Sequence, residues 1–510
     1  MIFTGRLGPA LCYPVCFPGE GWTLVAWRPS RYNVLVPLRR GSRLAWNGLT
    51  GGLAVWDAED VAVYEAIAAS GDADRANPVA AALLQGGWLV RDDVDELAML
   101  EREYLAHRHD YRTLTLTLAP TLACNFDCDY CFQGREKAAA TMSEPVQDAV
   151  VGLVERVLPS LHRVHVAWYG GEPTLRMGVI EALSDRLIAA CGARGVGYEA
   201  MIVTNGYRLD QATARSLHDR GVRTAQITID GDQAQHDARR VLLSRRGTFA
   251  RILANLRDVV DAVPLMLSLR VNIDERNADG VRRLLDHLAE VGLGGRRNLA
   301  VYFAPVEAIT EGCRDVVDET LSKARYARVE TELHRHAFEL GLAPLPAPPR
   351  FRGTCAAVRP RGFVVVPNGD VHKCWDTVSW PDKAVGDVFH LDALNVDPRV
   401  HRWVGWSPFD NEACRSCKLV ATCAGACAYK FLHADETRGE AAVLPCPSWK
   451  YNLHERLLLR AEKSGFLTAD DYDAAEVATD PGALCADVAP GGRALPEPIQ
   501  RMKEAMAAAL

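Results

Sequence analysis

The stretch Cys124-Asn125-Phe126-Asp127-Cys128-Asp129-Tyr130-Cys131 sets three thiols at C-x3-C-x2-C spacing. Three thiolates can hold three irons of a cubane iron–sulfur cluster, which otherwise takes four, so one iron is left for a ligand that is not protein. A zinc knuckle or unliganded thiols are the other readings of the same three cysteines. Just before them, Thr113 to Leu118 alternates Thr with Leu and reads as a strand. The cysteines therefore fall on the loop leaving a strand, where α/β folds carry their reactive groups.

From Thr113 onward the pattern repeats strand and helix. Strands are expected at 113–118, 164–168, 199–204, 224–229, 265–272 and 299–303. Helices are expected at 144–158, 179–190, 212–220, 249–260, 278–291 and 317–340. Strands alternating with helices imply parallel βαβ units. Six units suggest an α/β fold with a partial (βα)6, TIM-like barrel rather than a closed ring of eight.

Motifs follow at the strand ends. Tyr169-Gly170-Gly171-Glu172-Pro173 comes after the second strand, and its glycines permit close backbone approach to a ligand. Thr204-Asn205-Gly206 ends the third strand. Thr228-Ile229-Asp230-Gly231, then His236-Asp237, Arg239-Arg240 and Gly247-Thr248-Phe249, follow the fourth, and Arg270-Val271-Asn272 lies on the fifth. Each also has a plain reading as a strand-ending turn or a structural ion pair.

Taken with the cysteines, these motifs resemble the radical S-adenosylmethionine (SAM) enzymes. That resemblance implies that the open iron binds the amino and carboxylate groups of SAM. One electron from the [4Fe–4S] cluster then cleaves SAM to a 5′-deoxyadenosyl radical. It places Tyr130 near the adenine and the Gly170-Gly171-Glu172 backbone at the SAM amino group. Thr204 and Asn205 stand where relatives carry the same residues. Thr228 takes the position of a SAM-contacting hydroxyl, and Arg240 falls at the spacing of an arginine that pairs with the SAM carboxylate. A guanidinium suits that partner because it offers two parallel donors. Arg270 is expected within reach of the ligand.

Cysteine usage extends the pattern. The chain has 15 cysteines in 510 residues, too many for packing alone. Cys355 and Cys374 precede Cys414-x2-Cys417-x5-Cys423-x3-Cys427, and Cys446 follows. C-x2-C pairs often hold structural zinc, and seven thiolates suit one four-ligand and one three-ligand site. The spacing resembles the SPASM domain of radical SAM enzymes, which implies two auxiliary [4Fe–4S] clusters. By that resemblance Cys355, Cys374 and Cys427 hold one, and Cys414, Cys417, Cys423 and Cys446 the other. The first then lacks a fourth cysteine. Asp376 is a candidate catalytic carboxylate beside it. Cys12, Cys16, Cys191, Cys313 and Cys485 are scattered, and buried free thiol is their expected state.

Residues 1–110 read as a small sheet with short helices, loosely resembling winged-helix peptide-recognition modules, or else as a cap on the barrel. Asp57 is the expected cap of a helix over 58–69. The barrel is expected over 111–341, the SPASM part over 342–466 and a tail over 467–510. A net charge of −7 with no basic stripe argues against nucleic acid. No apolar run approaches a membrane span, so a cytoplasmic protein is expected.

The resemblance implies an enzyme that abstracts hydrogen from a ribosomally made peptide and crosslinks or oxidises it. Its partners would be a precursor peptide with a leader segment and an external one-electron reductant of flavodoxin or ferredoxin type. The alternative is an anaerobic sulfatase-maturase-like, formylglycine-forming enzyme. Such relatives carry Asp directly after the cysteine matching Cys374, where this chain has Trp375 and then Asp376.

Overall fold

A computed structural model of the chain describes residues 26–134, 137, 139–344, 350, 355–390, 397–439 and 445–484. Cys12, Cys16 and Cys485 lie outside the described residues. Five strands open the chain: β1 (Trp27–Pro29), β2 (Asn33–Pro37), β3 (Arg43–Asn47), β4 (Leu53–Trp56) and β5 (Leu89–Arg91). The strands β2, β3 and β4 form an antiparallel sheet, with Leu35 opposite Ala45 across the turn that Arg39–Gly41 makes. Asp57 then caps the helix Ala58–Ser70 by accepting from the Glu59 and Asp60 amides, both at 2.9 Å. A free amide pair at a helix start explains why an acidic side chain sits there.

Both faces of this small sheet are covered. Ala45, Ala54 and Trp56 pack on Tyr64, Ile67 and Leu83 from the unit's own helices and on Trp88 just before β5. On the other face, Val34, Val36, Leu44 and Trp46 meet Leu453, Leu457 and Leu458 of the helix Trp449–Lys463, together with Cys417 and Leu419. The N-terminal unit thus shares an apolar core with the C-terminal cysteine segment. Leu467, Val477 and Leu484 join that core, and Lys418 N donates to Leu484 O at 2.7 Å. Residues 467–484 are therefore packed structure, not the tail expected from their composition. An Ala-, Pro- and Gly-rich stretch can still bury its few large side chains.

Six parallel strands follow in consecutive order: β6 (Thr113–Leu118), β7 (Arg163–Trp168), β8 (Gly197–Thr204), β9 (Val222–Thr228), β10 (Met266–Ile273) and β11 (Leu299–Pro305). Leu114, Leu116, Val164, Val166, Ala225 and Ile227 are buried in one core with side chains of the helices that cover the sheet. The helix Glu144–Val157 shows how: Val146, Val150 and Val154 recur every fourth residue and all are buried. The fold is α/β with a parallel, barrel-like sheet.

Two expectations change. The stretch 317–340 is not one helix, since a 3-10 segment Glu311–Glu319 ends before Ser322 caps a separate helix, Lys323–Glu339, at the Arg325 amide. The sheet also continues past residue 341. In chain order β12 (Gly362–Val365), β13 (Asp370–His372) and β14 (Gly386–Asp387) come next, and β12 pairs parallel with β6 while β13 and β14 extend the edge. The composition turns Pro-rich at 342–349, of which 345–349 lie outside the described residues, yet hydrogen bonds such as Ala119 N to Val365 O, 3.0 Å, join the segments on either side.

Candidate active site

The loop after β6 carries the three cysteines into a cavity of about 320 Å³ at the C-terminal ends of the strands, which Cys124, Cys128 and Cys131 all line. The loop is pinned along its length. Asp127 N donates to Val241 O at 2.9 Å, and Leu243 N donates to Asn125 O at 3.0 Å. Asp127 pairs with Arg245 and Asp129 with Arg276. Burial pushes the Cys128 thiol up to about 12, while Lys137 stays cationic despite its own burial because Cys131, Cys124 and Cys128 surround it. Among the described residues no three His, Cys, Asp or Glu converge as a site for a single ion. The thiols stand around a cavity instead.

Gly170 and Gly171 are required by this loop. A side chain on Gly171 would lie 2.2 Å from the carbonyls of Leu122 and Ala123, and one on Gly170 2.3 Å from Thr121 O, with φ at +135° besides. The close approach lets Gly171 N donate to Thr121 O and Glu172 N to Ala123 O, at 3.2 and 2.8 Å. Glu172 itself is fully buried. Its carboxylate accepts from Thr204 Oγ1 and from Asn205 N, both at 2.7 Å, and also from Thr174. It therefore ties the end of β7 to the end of β8, and its side chain does not line the cavity. Gly170, Gly171, Thr204 and Asn205 do line it. Asn205 Nδ2 donates to Asn125 at 2.8 Å, which sets the tip of β8 against the cysteine loop.

On the opposite wall Tyr130 is the hub. Its hydroxyl bonds the buried carboxylate of Asp230 and accepts from Arg240 Nη1 at 2.7 Å and Asn272 Nδ2 at 3.2 Å. The two adjacent arginines divide their work. Arg239 makes a buried pair with Asp274 at 2.9 Å and lies over the Tyr130 ring at 4.8 Å. Arg240 lines the cavity, is 7% exposed, and has no carboxylate partner among the described residues. Its Nε is buried without an acceptor. Burial opposes that charge, but Tyr130, Cys128 and Asp230 hold the guanidinium protonated. A buried cation with spare donors is a site for an anion. Thr228 and Arg270 complete this wall, with Arg270 Nε donating to Asn272 Oδ1 at 2.7 Å.

A further part of the cavity lining comes from the C-terminal segment. Asp376 and Trp375 belong to it, as does Glu307 just after β11. Burial pushes the Asp376 carboxyl up to about 6, against the pull of the Cys374 thiol, Lys430 and Arg270. Cys374 Sγ lies 3.6 Å from Asp376 Oδ2. Behind it, Cys374 and Cys427 pack beside Ala357, Val358, Trp403 and Tyr429, and Cys355 is close enough to act on both thiols. A separate small apolar pocket of about 30 Å³ gathers Cys414, Cys417, Cys423 and Cys446. Cys191 and Cys313 are buried and line neither cavity, Cys313 packing beside Tyr130 and Phe132. Sequence reasoning missed the ion pair of Glu307 with Lys430, 2.5 Å, which bridges the end of β11 to the C-terminal segment. A polar residue just past a barrel strand was the available signal for Glu307. Lys430 carried none.

A parallel α/β barrel-like sheet thus brings three thiols and a buried arginine with an unpartnered donor into one cavity. Residues 118–288 match the family model of the Radical SAM superfamily, and the chain carries a radical SAM domain. It is similar to Fe-coproporphyrin III synthase of Methanosarcina barkeri, 26% identical over 33% of this chain and 39% of that protein. It is also similar to the sporulation killing factor maturation protein SkfB of Bacillus subtilis, 26% identical over 36% of this chain and 41% of that protein. The chain thus spans about two fifths of the length of these curated relatives. Among solved structures, anSMEcpe with bound AdoMet and Kp18Cys peptide shares the fold, at a TM-score of 0.54 and 17% identity, covering 69% of this chain and 98% of that one. The residues present fit the family's SAM and [4Fe–4S] cluster, because three thiols and an anion-ready Arg240 face one cavity. Among the described residues no helix is long and apolar enough to cross a membrane.

Proposed function

We propose that this chain is a radical SAM/SPASM maturase that modifies a ribosomally made peptide. The observation that carries the reading is the shared cavity, lined together by the three thiols, Arg240 and Asp376. Cys124, Cys128 and Cys131 would hold the SAM-binding cluster. When bound, that cluster supplies the single electron that turns SAM into a hydrogen-abstracting radical. Arg240 holds the SAM carboxylate, and Tyr130, itself fixed by Asp230, orients Arg240. The backbone of Gly170 and Gly171, which line the cavity, would stand next to the SAM amino group. Cys355, Cys374 and Cys427 would hold one auxiliary cluster and Cys414, Cys417, Cys423 and Cys446 a second, so reconstituted protein would carry about twelve irons.

Once its hydrogen atom is gone, the substrate would give a proton to Asp376, a carboxylate at the cavity wall suited to that, and its remaining electron to an auxiliary cluster held by the C-terminal cysteines. The peptide reading is supported by SkfB, named as a maturation protein, and by anSMEcpe, solved with a peptide. The reductant is a flavodoxin- or ferredoxin-type donor, and the compartment the cytoplasm. A formylglycine-forming activity is the second reading, favoured by Asp376 facing the cavity although it stands one residue beyond the expected place.

The test is incubation of reduced, reconstituted enzyme with SAM and the short peptides encoded beside its gene. Mass spectrometry should show loss of hydrogen from one peptide matched by 5′-deoxyadenosine. A product captured by a hydrazide probe would select the formylglycine reading. No change in any such peptide would count against a peptide substrate.

A further inference from the structure

Three aromatic rings stack along the cavity lining, from Phe132 beside Cys131 to Trp375 beside Asp376. Phe132, Tyr169 and Trp375 form a continuous stack, with centroids 6.1 Å apart at 24° for the first pair and 4.7 Å apart at 21° for the second. Phe132 anchors the stack by packing against Ala119, Val364, Val366 and Val378. The other end is open. Trp375 is 40% exposed, and of the exposed large apolar side chains among the described residues it alone lines the cavity.

An indole stacked on Tyr169 and 40% exposed offers a platform. Planar rings extend an offset stack with little loss of side-chain freedom, while branched aliphatic side chains cannot lie flat on it. Polar groups stand beside the platform: Asp376 next in sequence, and the Glu307–Lys430 pair near by. An apolar face flanked by a carboxylate and an ion pair suits an aromatic side chain carried on a polar backbone.

We infer, resting on the function proposed above, that Trp375 selects the substrate: the peptide presents an aromatic side chain that stacks on Trp375, and this sets the modified residue beside Asp376. Nothing in the radical chemistry itself demands such a stack.

Equilibrium dialysis of the reconstituted full chain, with SAM present and no reductant, tests the inference. The probes are the N-acetyl amides of Trp, Tyr, Phe, Leu and Ala. The aromatic amides should bind about 5-fold or more tighter than the leucine amide. Trp375→Ala should erase that preference, and Trp375→Phe should keep most of it. Equal binding of the tryptophan and leucine amides to wild type would overturn the inference. So would a preference that survives Trp375→Ala, or a Trp375→Ala loss confined to SAM affinity, which would place the indole against the adenine. Adding reductant to the wild-type sample reads 5′-deoxyadenosine separately. A sample that cleaves no SAM therefore counts against the proposed function and not against the platform.

Discussion

Arg240 Nη1 donates to the Tyr130 hydroxyl at 2.7 Å, joining the middle of the cysteine motif to a residue more than a hundred positions later. The neighbouring arginine does something else. Arg239→Ala breaks a buried pair with Asp274 and should cost about 3 kcal/mol of stability, softened because Arg276 also reaches Asp274. Arg240→Ala should instead weaken SAM binding by about 1.5–3 kcal/mol, with a smaller change in melting temperature. Thermal denaturation and SAM dialysis on both variants measure the split. The reverse pattern would exchange their roles.

The glycine pair gives a sharper test of the loop. Gly171→Ala places a methyl group 2.2 Å from two carbonyls of the cysteine loop, so the loop must move. The variant should lose most of the iron held by Cys124, Cys128 and Cys131 while keeping the iron of the C-terminal cysteines. Iron analysis and electron paramagnetic resonance of the reconstituted variant decide it.

Much of this was legible in the sequence, for a physical reason. Strand and helix periodicity survives in Thr113–Leu118 and Phe249–Val260 because each buries one regular set of side chains, and both segments have the expected bounds. The cavity-lining residues at strand ends were readable because βα loops carry them. The role of Glu172 was not, since its partners Thr204 and Asn205 lie on the next strand and only the folded sheet brings them together. The merging of the N-terminal sheet with Leu453 and Leu457 was likewise hidden, because apolar residues do not name their partners.

That merging sets what a truncation should do. Removing residues 1–105 would expose Leu453, Leu457 and Leu458 and strip the cover from Cys417. The truncated chain should aggregate or lose the iron of Cys414, Cys417, Cys423 and Cys446. Size-exclusion chromatography with iron counting checks this. A soluble truncation with full iron would show that the N-terminal unit is separable, as a dedicated recognition module would be.

His334 predicts an acid limb in stability. It is buried, and burial together with Arg456 holds its imidazole down at about 3, against about 6.5 in an unfolded chain. The unfolded state therefore binds a proton that the folded state refuses, and stability falls as pH drops below about 6.5, by up to about 1.4 kcal/mol per pH unit. His334→Leu should flatten that slope between pH 6 and 4. An unchanged slope would assign the acid limb to other groups.

The central claim is that Cys124, Cys128 and Cys131 hold the cluster at which SAM is cleaved. It is tested most directly by 5′-deoxyadenosine release from dithionite-reduced, reconstituted protein. Wild type should form it, and the Cys124→Ala, Cys128→Ala, Cys131→Ala triple variant should form none while retaining about two thirds of the iron. Continued SAM cleavage by the triple variant would contradict the account.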